Sequence, residues 1–262
     1  MKRLVAAAPG LGFLLLMVLL WEGVARNMGV GAAVFPPPSA IFATLAGMAG
    51  SGALWPALGQ SLYRLAAGYA LGLAPAVVLG LLMGSSAAIY RLFEPLLELL
   101  RPIPKAALVP PLMFFIGLGD AMKITIVALA VFFPILLNLV QAVRGIDPEL
   151  IDTARTLGLS RADVLRKVVL PASLPQLLAG MQISLGVALV VLILAEMVSV
   201  GGGIGFGVID AERSFRVKEM YAWVVASALV GWALNQLFVS WRERLLHWHR
   251  DVDVLQRSVL QD

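Results

Sequence analysis

Runs free of Asp, Glu, Lys and Arg punctuate the chain: Leu4–Trp21, Leu65–Tyr90, Ala106–Gly119, Ile124–Val143, Val168–Ala195 and Met220–Trp241. A helix crossing a bilayer needs about 20 apolar residues at ~1.5 Å each, and a charge at its centre is costly. Five of the runs are long enough. Ala106–Gly119 is shorter and holds Pro110 and Pro111, so a crossing there must be short, tilted or extended backwards past Lys105. The pattern predicts an all-α membrane protein with six transmembrane helices, the later five near residues 65–84, 104–119, 122–143, 175–197 and 220–241. Asn27–Tyr63 also lacks charge but carries Pro36-Pro37-Pro38, repeated glycines and Pro56. It reads as an extended segment followed by a short surface helix around Ile41–Met48.

Between the fourth and fifth runs lies the densest mixed charge of the chain, Ile146–Pro175. Its pattern predicts two short helices hinged at a glycine. Asp147 is placed as an N-cap, with Pro148 at the first helical position and Glu149 in the first turn. Leu150, Ile151, Ala154 and Leu157 form an apolar stripe, and Gly158 is positioned for a left-handed cap. Ser160 caps the second helix with Asp163 three residues on. Val164, Leu165, Val168 and Val169 give its apolar side, and Pro171 is expected to end it.

Composition supports the membrane assignment. Of 262 residues, 60% are hydrophobic and 14% charged, with a mean hydropathy of +0.90. That composition lacks the charged surface a soluble chain of this size needs. With no cysteine, disulfides and thiolate metal sites are excluded. The N-terminus has the outline of a signal peptide, yet with several later runs it reads as an uncleaved first span. Placing it inside puts both termini in the cytoplasm. Fourteen of the 20 Lys and Arg then fall in inner segments and six in outer segments or span edges, as the positive-inside rule requires. The charged hairpin is then cytoplasmic. The chain divides into residues 1–56 (first span and external Pro/Gly-rich segment), 57–241 (the domain of the five later spans) and 242–262 (a cytoplasmic tail).

The hairpin carries the most specific pattern. Asp152-Thr153-Ala154, Gly158, and Val168 with Leu170-Pro171 resemble, step for step in spacing, the cytoplasmic signature of binding-protein-dependent ABC importer permeases. In that signature Glu-Ala-Ala leads to Gly and then Ile-x-Leu-Pro; here Asp152, Thr153 and Val168 replace Glu, the first Ala and Ile. Arg101-Pro102-Ile103-Pro104, Gly117-Leu118-Gly119, Phe133-Pro134-Ile135, Ala195-Glu196 and the glycine-rich 201–207 segment look like the sulfonate, taurine and nitrate branch. The resemblance implies a type I permease fold and a coupling helix seated on a separate ABC ATP-binding subunit. It further implies an extracytoplasmic solute-binding protein, a second copy of the chain, and a bacterial inner-membrane location. The matching positions are Asp152, Ala154, Gly158, Leu170 and Pro171. The Leu159–Arg161 turn, with Ser160 at its centre, is the part most open to a partner.

The remaining candidates are weaker. Glu196, at the end of the fifth run, would contact solute, gate a path or carry protons; equally it would be an interfacial acid paired with Arg213 or Arg216. Asn138, Gln141 and Gln182 would line a path or hydrogen-bond between helices, and the block of residues singled out for a path or gate is Glu196, Asn138 and Gln182. His247 and His249 flank Trp248 without further ligands, so no metal is expected, and no cofactor. The hairpin also has the outline of a DNA-binding helix pair. Its acids Asp147, Glu149, Asp152 and Asp163 cancel most of its positive charge, which excludes a nucleic-acid partner. No Gly-x-x-x-x-Gly-Lys-Ser/Thr occurs, so ATP hydrolysis belongs to another chain. An ion-driven carrier with Glu196 as its coupling acid is the alternative, and an intramembrane hydrolase lacks its nucleophile–base pair.

Overall fold

The computed structural model describes residues 2–27 and 34–246, with side chains of residues 2–9 and 11 left aside. His247, Trp248, His249 and the rest of the tail lie outside the described residues. The described residues form helices and turns, without strands. In order these are α1 (Lys2–Asn27), α2 (Pro38–Gly50), α3 (Leu54–Ser85), α4 (Ala87–Leu100), a short 3-10 segment (Lys105–Leu108) leading into α5 (Val109–Ile116), and α6 (Asp120–Arg144). Then come α7 (Pro148–Thr156), α8 (Arg161–Val164), a π turn (Leu165–Val169), α9 (Leu170–Val198), α10 (Ile204–Arg213) and α11 (Val217–Leu245).

Among the described residues four continuous helices are long and apolar enough to cross a membrane: α3, α6, the stretch Arg161–Val198, and α11. The expected first run falls within α1, whose 26 residues would extend ~39 Å, beyond the ~30 Å hydrocarbon core. The third predicted crossing is corrected. It is not one helix over 104–119: the segment Lys105–Ile116 follows α4 at an angle of 83°, and only the two together pass as a broken span or re-entrant loop. Pro102 and Pro104 make the bend, since each lacks an N–H and biases the residue before it away from the helical region. The Leu65–Tyr90 run is likewise split, for α3 ends at Ser85 and Ser86 caps a new helix by accepting from the Ile89 N–H.

Two compact units make up the chain: residues 1–61 with 196–229, and residues 62–195 with 230–262. In the first, the Glu22 carboxylate at the end of α1 accepts from the Ser39 N–H (2.9 Å) and hydroxyl (2.6 Å), capping α2 from a distance. Trp21 stacks on Phe35 at 5.4 Å. The expected surface helix near Ile41–Met48 is α2, with Ile41 and Met48 buried.

The second unit is organised by a close approach of α3 to α6. Gly68, Gly72, Ala76, Gly80 and Gly84 recur every four residues and so share one face of α3. A Cβ at Gly68 would lie 2.6 Å from the Val127 Cβ, and one at Gly84 2.5 Å from the Val143 Cβ. Small residues at this spacing let backbones meet where no hydrophobic drive exists between helices in lipid. Val127, Val131, Ile135, Leu139 and Val143 of α6 form the matching ridge and are buried. Tyr69 reaches from α3 to α9, its hydroxyl 2.7 Å from the Met181 carbonyl and 3.0 Å from the Ser184 hydroxyl.

Two cations expected at span edges are fully buried in this unit. Arg64 donates to Asp120 Oδ1 at 2.8 Å, and Lys123 Nζ lies 3.8 Å from the same oxygen. Removing one partner of a fully buried pair costs about 3–5 kcal/mol, but the Asp120 side chain is 53% exposed, so water offsets part of the loss. Asp120→Asn is expected to lower stability by about 1–2 kcal/mol, read as a fall in the thermal midpoint of the purified full chain.

Candidate functional site

The hairpin at residues 146–169 is built as its residues dictate. Asp147 accepts from the Glu149 N–H at 3.0 Å and Pro148 opens α7. At the other end the Leu159 N–H bonds to the Ala154 carbonyl (3.2 Å) and the Gly158 N–H to that of Arg155 (2.9 Å). This pair of bonds is the Schellman cap, and it requires the left-handed conformation that Gly158 adopts at φ +80°. Ser160 then caps α8, accepting from the Asp163 N–H (3.2 Å) while its hydroxyl donates to Asp163 Oδ2 (2.6 Å).

The Ser160 hydroxyl, and behind it the Lys167 ammonium at 2.9 Å, hold the Asp163 carboxyl below the usual carboxylate range. A depressed native value means the cap's contribution is present above the unfolded aspartate value of ~3.9 and is lost as pH falls through the native one. Amide-exchange protection at the start of α8 is therefore expected to hold from neutral to mildly acidic pH and to fall only below about pH 4. Ser160→Ala is expected to lower it at every pH.

The expected stop at Pro171 is corrected. The helix does not end there but continues through the π turn into α9, as far as Val198. The wider turn carries the Leu170 N–H to the Leu165 carbonyl, five residues back, so the ladder changes register next to the residue that has no N–H to give. A single continuous helical stretch, Arg161–Val198, thus joins the hairpin to the fifth apolar run.

The apolar stripe of α7 divides between core and surface. Ile151 and Ala154 turn inward, toward the core that holds Val143, Val164 and Val169, whereas Leu150 is 50% and Leu157 75% exposed. Asp152 is exposed and pairs with Arg155 at 3.4 Å. Leu159 packs inward, Ser160 and Arg161 are exposed, Leu170 is half-buried and Pro171 exposed. Beneath the hairpin a cavity of about 400 Å³ lies between Leu81, Gly84 and Val143 on one side and Ile151, Leu159 and Val164 on the other. The hairpin is therefore a preformed, doubly capped body with large leucines turned outward.

The path candidates separate. Gln182 is tied to α11: it donates to Asn235 Oδ1 (2.9 Å) and accepts from Arg242 (2.6 Å). Asn138 lines a cavity of about 420 Å³ together with Arg101, Lys105, Phe133 and Gln141. Its Nδ2 donates to the Pro134 carbonyl at 2.8 Å.

Glu196 belongs to the first unit and is fully buried. It accepts from the Ser61 hydroxyl (2.8 Å) and from the Gly205 N–H (3.0 Å), while Ser61 accepts from the Ile204 N–H (2.9 Å). It caps α10 as Glu22 caps α2. Of the two bases considered for it, the Arg216 guanidinium sits on Asp210 and Glu219. Gly201, Gly202 and Gly203 all have positive φ, and a Cβ at Gly203 would overlap the Glu196 carboxylate. The glycine run is thus a close-packed turn that lets the cap reach its helix.

Sequence reading missed the exposed leucines, the capping glutamates and the Arg101–Lys105 corner. The only signal for that corner was two cations within a proline-broken stretch beside a span.

Helices of membrane-crossing length, a small-residue packing face and a capped, charged hairpin define a polytopic membrane protein. The chain belongs to the family of binding-protein-dependent transport system inner membrane components, whose model matches residues 76–248. It is a permease subunit of an ABC importer. It is 30% identical to the taurine transport system permease protein TauC of Escherichia coli, over 92% of this chain and 90% of that one. It is 33% identical to the Bacillus subtilis permease protein SsuC, assigned to aliphatic sulfonate transport, over 90% of this chain and 86% of that one. Identity to the nitrate import permease protein NrtB of Leptolyngbya laminosa is 32%, over 69% and 64%. Among solved structures, the inward-facing MetNI methionine ABC transporter aligns with a TM-score of 0.62 at 20% identity, over 74% of this chain and 94% of that one, and shares the fold.

Proposed function

We propose that two copies of this chain enclose the solute path of an importer for a small organic sulfonate, taurine-like molecule or nitrate. Both termini and the hairpin face the cytoplasm of a bacterial inner membrane. A separate ABC ATP-binding subunit seats on α7 and the Leu159–Arg161 turn, and an extracytoplasmic binding protein delivers solute from the opposite side. The observation that carries this reading is the hairpin itself, packed on its inner face and carrying exposed Leu150 and Leu157 among charged side chains on its outer one. Exposed leucines on a charged, water-facing helix are what a partner groove would bury, at about 25 cal/mol per Å² removed from water.

Closure of the ATPase pair would pull the two hairpins together. Because α8, the π turn and α9 form one continuous rod, that movement reaches the membrane span without a joint to absorb it. The spans would then switch between two packed arrangements whose balance the ATPase biases by differential binding. The solute class rests on the names of the three relatives. Deleting the gene is expected to abolish growth on taurine or methanesulfonate as sole sulfur source, or on nitrate as sole nitrogen source, with growth on sulfate and ammonium intact. Unimpaired growth on all three anions would refute the solute class.

A further inference from the structure

The cavity of about 420 Å³ in the second unit has a composition unusual for the interior of an apolar bundle. One wall is cationic. Lys105 Nζ donates to the carbonyls of Leu100 (3.0 Å) and Ile103 (2.9 Å) and stands 4.2 Å from the centre of the Phe133 ring. Carbonyl dipoles and a ring face share this charge without neutralising it, and among the described residues no carboxylate lies within ion-pairing distance of Lys105. Arg101 has only the exposed Glu98, 3.9 Å away, a contact of little strength. The opposite wall is a stripe on α6. Asn138 and Gln141 are one turn apart and open to the cavity, and Arg144, a turn further, stacks on Tyr90 at 3.8 Å. The stripe thus runs from the cavity to the hairpin end of α6. Pro134, halfway along α6, and Val187, just past the middle of α9, also line the space. Those positions set it well inside the spans. The volume falls in the range of small-molecule sites, roughly 300–1,000 Å³.

We propose that this cavity binds the transported solute as an oxyanion, a sulfonate or nitrate head held between the Arg101–Lys105 corner and the amide N–H groups of Asn138 and Gln141. The proposal rests on the reading of the chain as an importer of a small anion. A lipid phosphate offers the same oxyanion chemistry, and the placement of Pro134 and Val187 near the middle of their helices favours the solute. The amide stripe gives the anion successive donors toward the hairpin end, so it leaves without being stripped of partners in one step.

The absence of cysteine allows a direct test. Leu137→Cys places one thiol on the cavity wall of the full chain in phosphatidylcholine nanodiscs. Its rates of modification by (2-sulfonatoethyl) methanethiosulfonate and by the trimethylammonium-ethyl analogue are followed by mass spectrometry and normalised to a free thiol. The anionic reagent is expected to be favoured by roughly tenfold or more, as a local positive potential requires, and to be slowed by methanesulfonate or nitrate but not by choline chloride. Arg101→Gln, Lys105→Met and Asn138→Asp are each expected to remove most of that preference. Asn138→Asp leaves the Lys105 bend untouched and so separates charge from folding. A preference for the cationic reagent, or an anionic preference that survives all three substitutions, overturns the site. Loss of the preference when phosphatidylglycerol replaces phosphatidylcholine assigns the cations to lipid and overturns it too. Capture of the ATPase by the same protein is scored separately: capture without anion preference removes this site alone, and anion preference without capture overturns the proposed docking on the hairpin while leaving the anion site standing.

Discussion

Replacing Gly158 with valine is expected to release the chain from its ATPase while leaving it inserted in the membrane. A Cβ at this position meets nothing within 4 Å, so the substitution acts only through the backbone. At φ +80° an L-residue costs about 1–2 kcal/mol, and a β-branched one more. The cheapest relief is to open the Schellman cap, which frees the carbonyls of Ala154 and Arg155 and lets the Leu159–Arg161 turn wander from the edge of α7. Docking needs both helices at once, so capture of the ATPase on the immobilised permease should fall by tenfold or more, the equivalent of about 1.4 kcal/mol. Gly158→Asn, which tolerates the left-handed region, should retain most of it. Equal capture by both variants would show that the turn's geometry does not matter for docking.

Gly203→Ala is expected to be the most destabilising single methyl in the chain's first unit. The backbone there stands at φ +109°, and the added carbon would occupy the space of the Glu196 carboxylate. The variant must either move that carboxylate off the N-terminus of α10 or shift the turn. It therefore combines backbone strain of about 1–3 kcal/mol with hydrogen bonds lost from a buried carboxylate. A loss of stability of about 3 kcal/mol or more is expected, read as a fall in the thermal midpoint of the full chain. Gly117→Ala shares a positive φ of 89° but has open space around it, so it should show the strain alone. A Glu196 that served chiefly as a proton-coupling acid would behave differently: Glu196→Gln would then abolish transport at unchanged stability. The structure predicts the reverse, a modest loss of stability with transport retained.

Whatever depends on local chemistry was legible in the sequence. The long spans follow from charge-free length, and Asp147, Pro148, Gly158 and Ser160 announce their caps because each role is satisfied by a residue's own backbone neighbours. Features that depend on distant partners were not. Glu196 reads as an interfacial acid until Ser61 and Gly205 are brought to it across the fold. The stripe of Leu150, Ile151, Ala154 and Leu157 does not say which of its edges meets another helix. Pro171 reads as a terminator because sequence does not show that a wider turn just before it removes the need for its missing N–H. The 83° bend at Pro102–Pro104 was the clearest ambiguity, since a proline pair marks a break without giving its angle or what lies before it. Of the three path candidates only Asn138 lines the cationic cavity, and its companions Arg101 and Lys105 sit outside any charge-free run.

The central claim is that the hairpin is the handle by which a separate motor moves this membrane body. Its most direct test uses a single thiol at Leu157, the most exposed apolar position of α7. With the ATPase co-expressed, a bis-maleimide should join the two chains through Leu157→Cys and not through a control thiol at Phe215, and ATP should change the yield. In intact cells the same thiol should resist a membrane-impermeant maleimide. An unjoined Leu157→Cys alongside functional ATPase, or its ready labelling from outside the cell, would contradict the account.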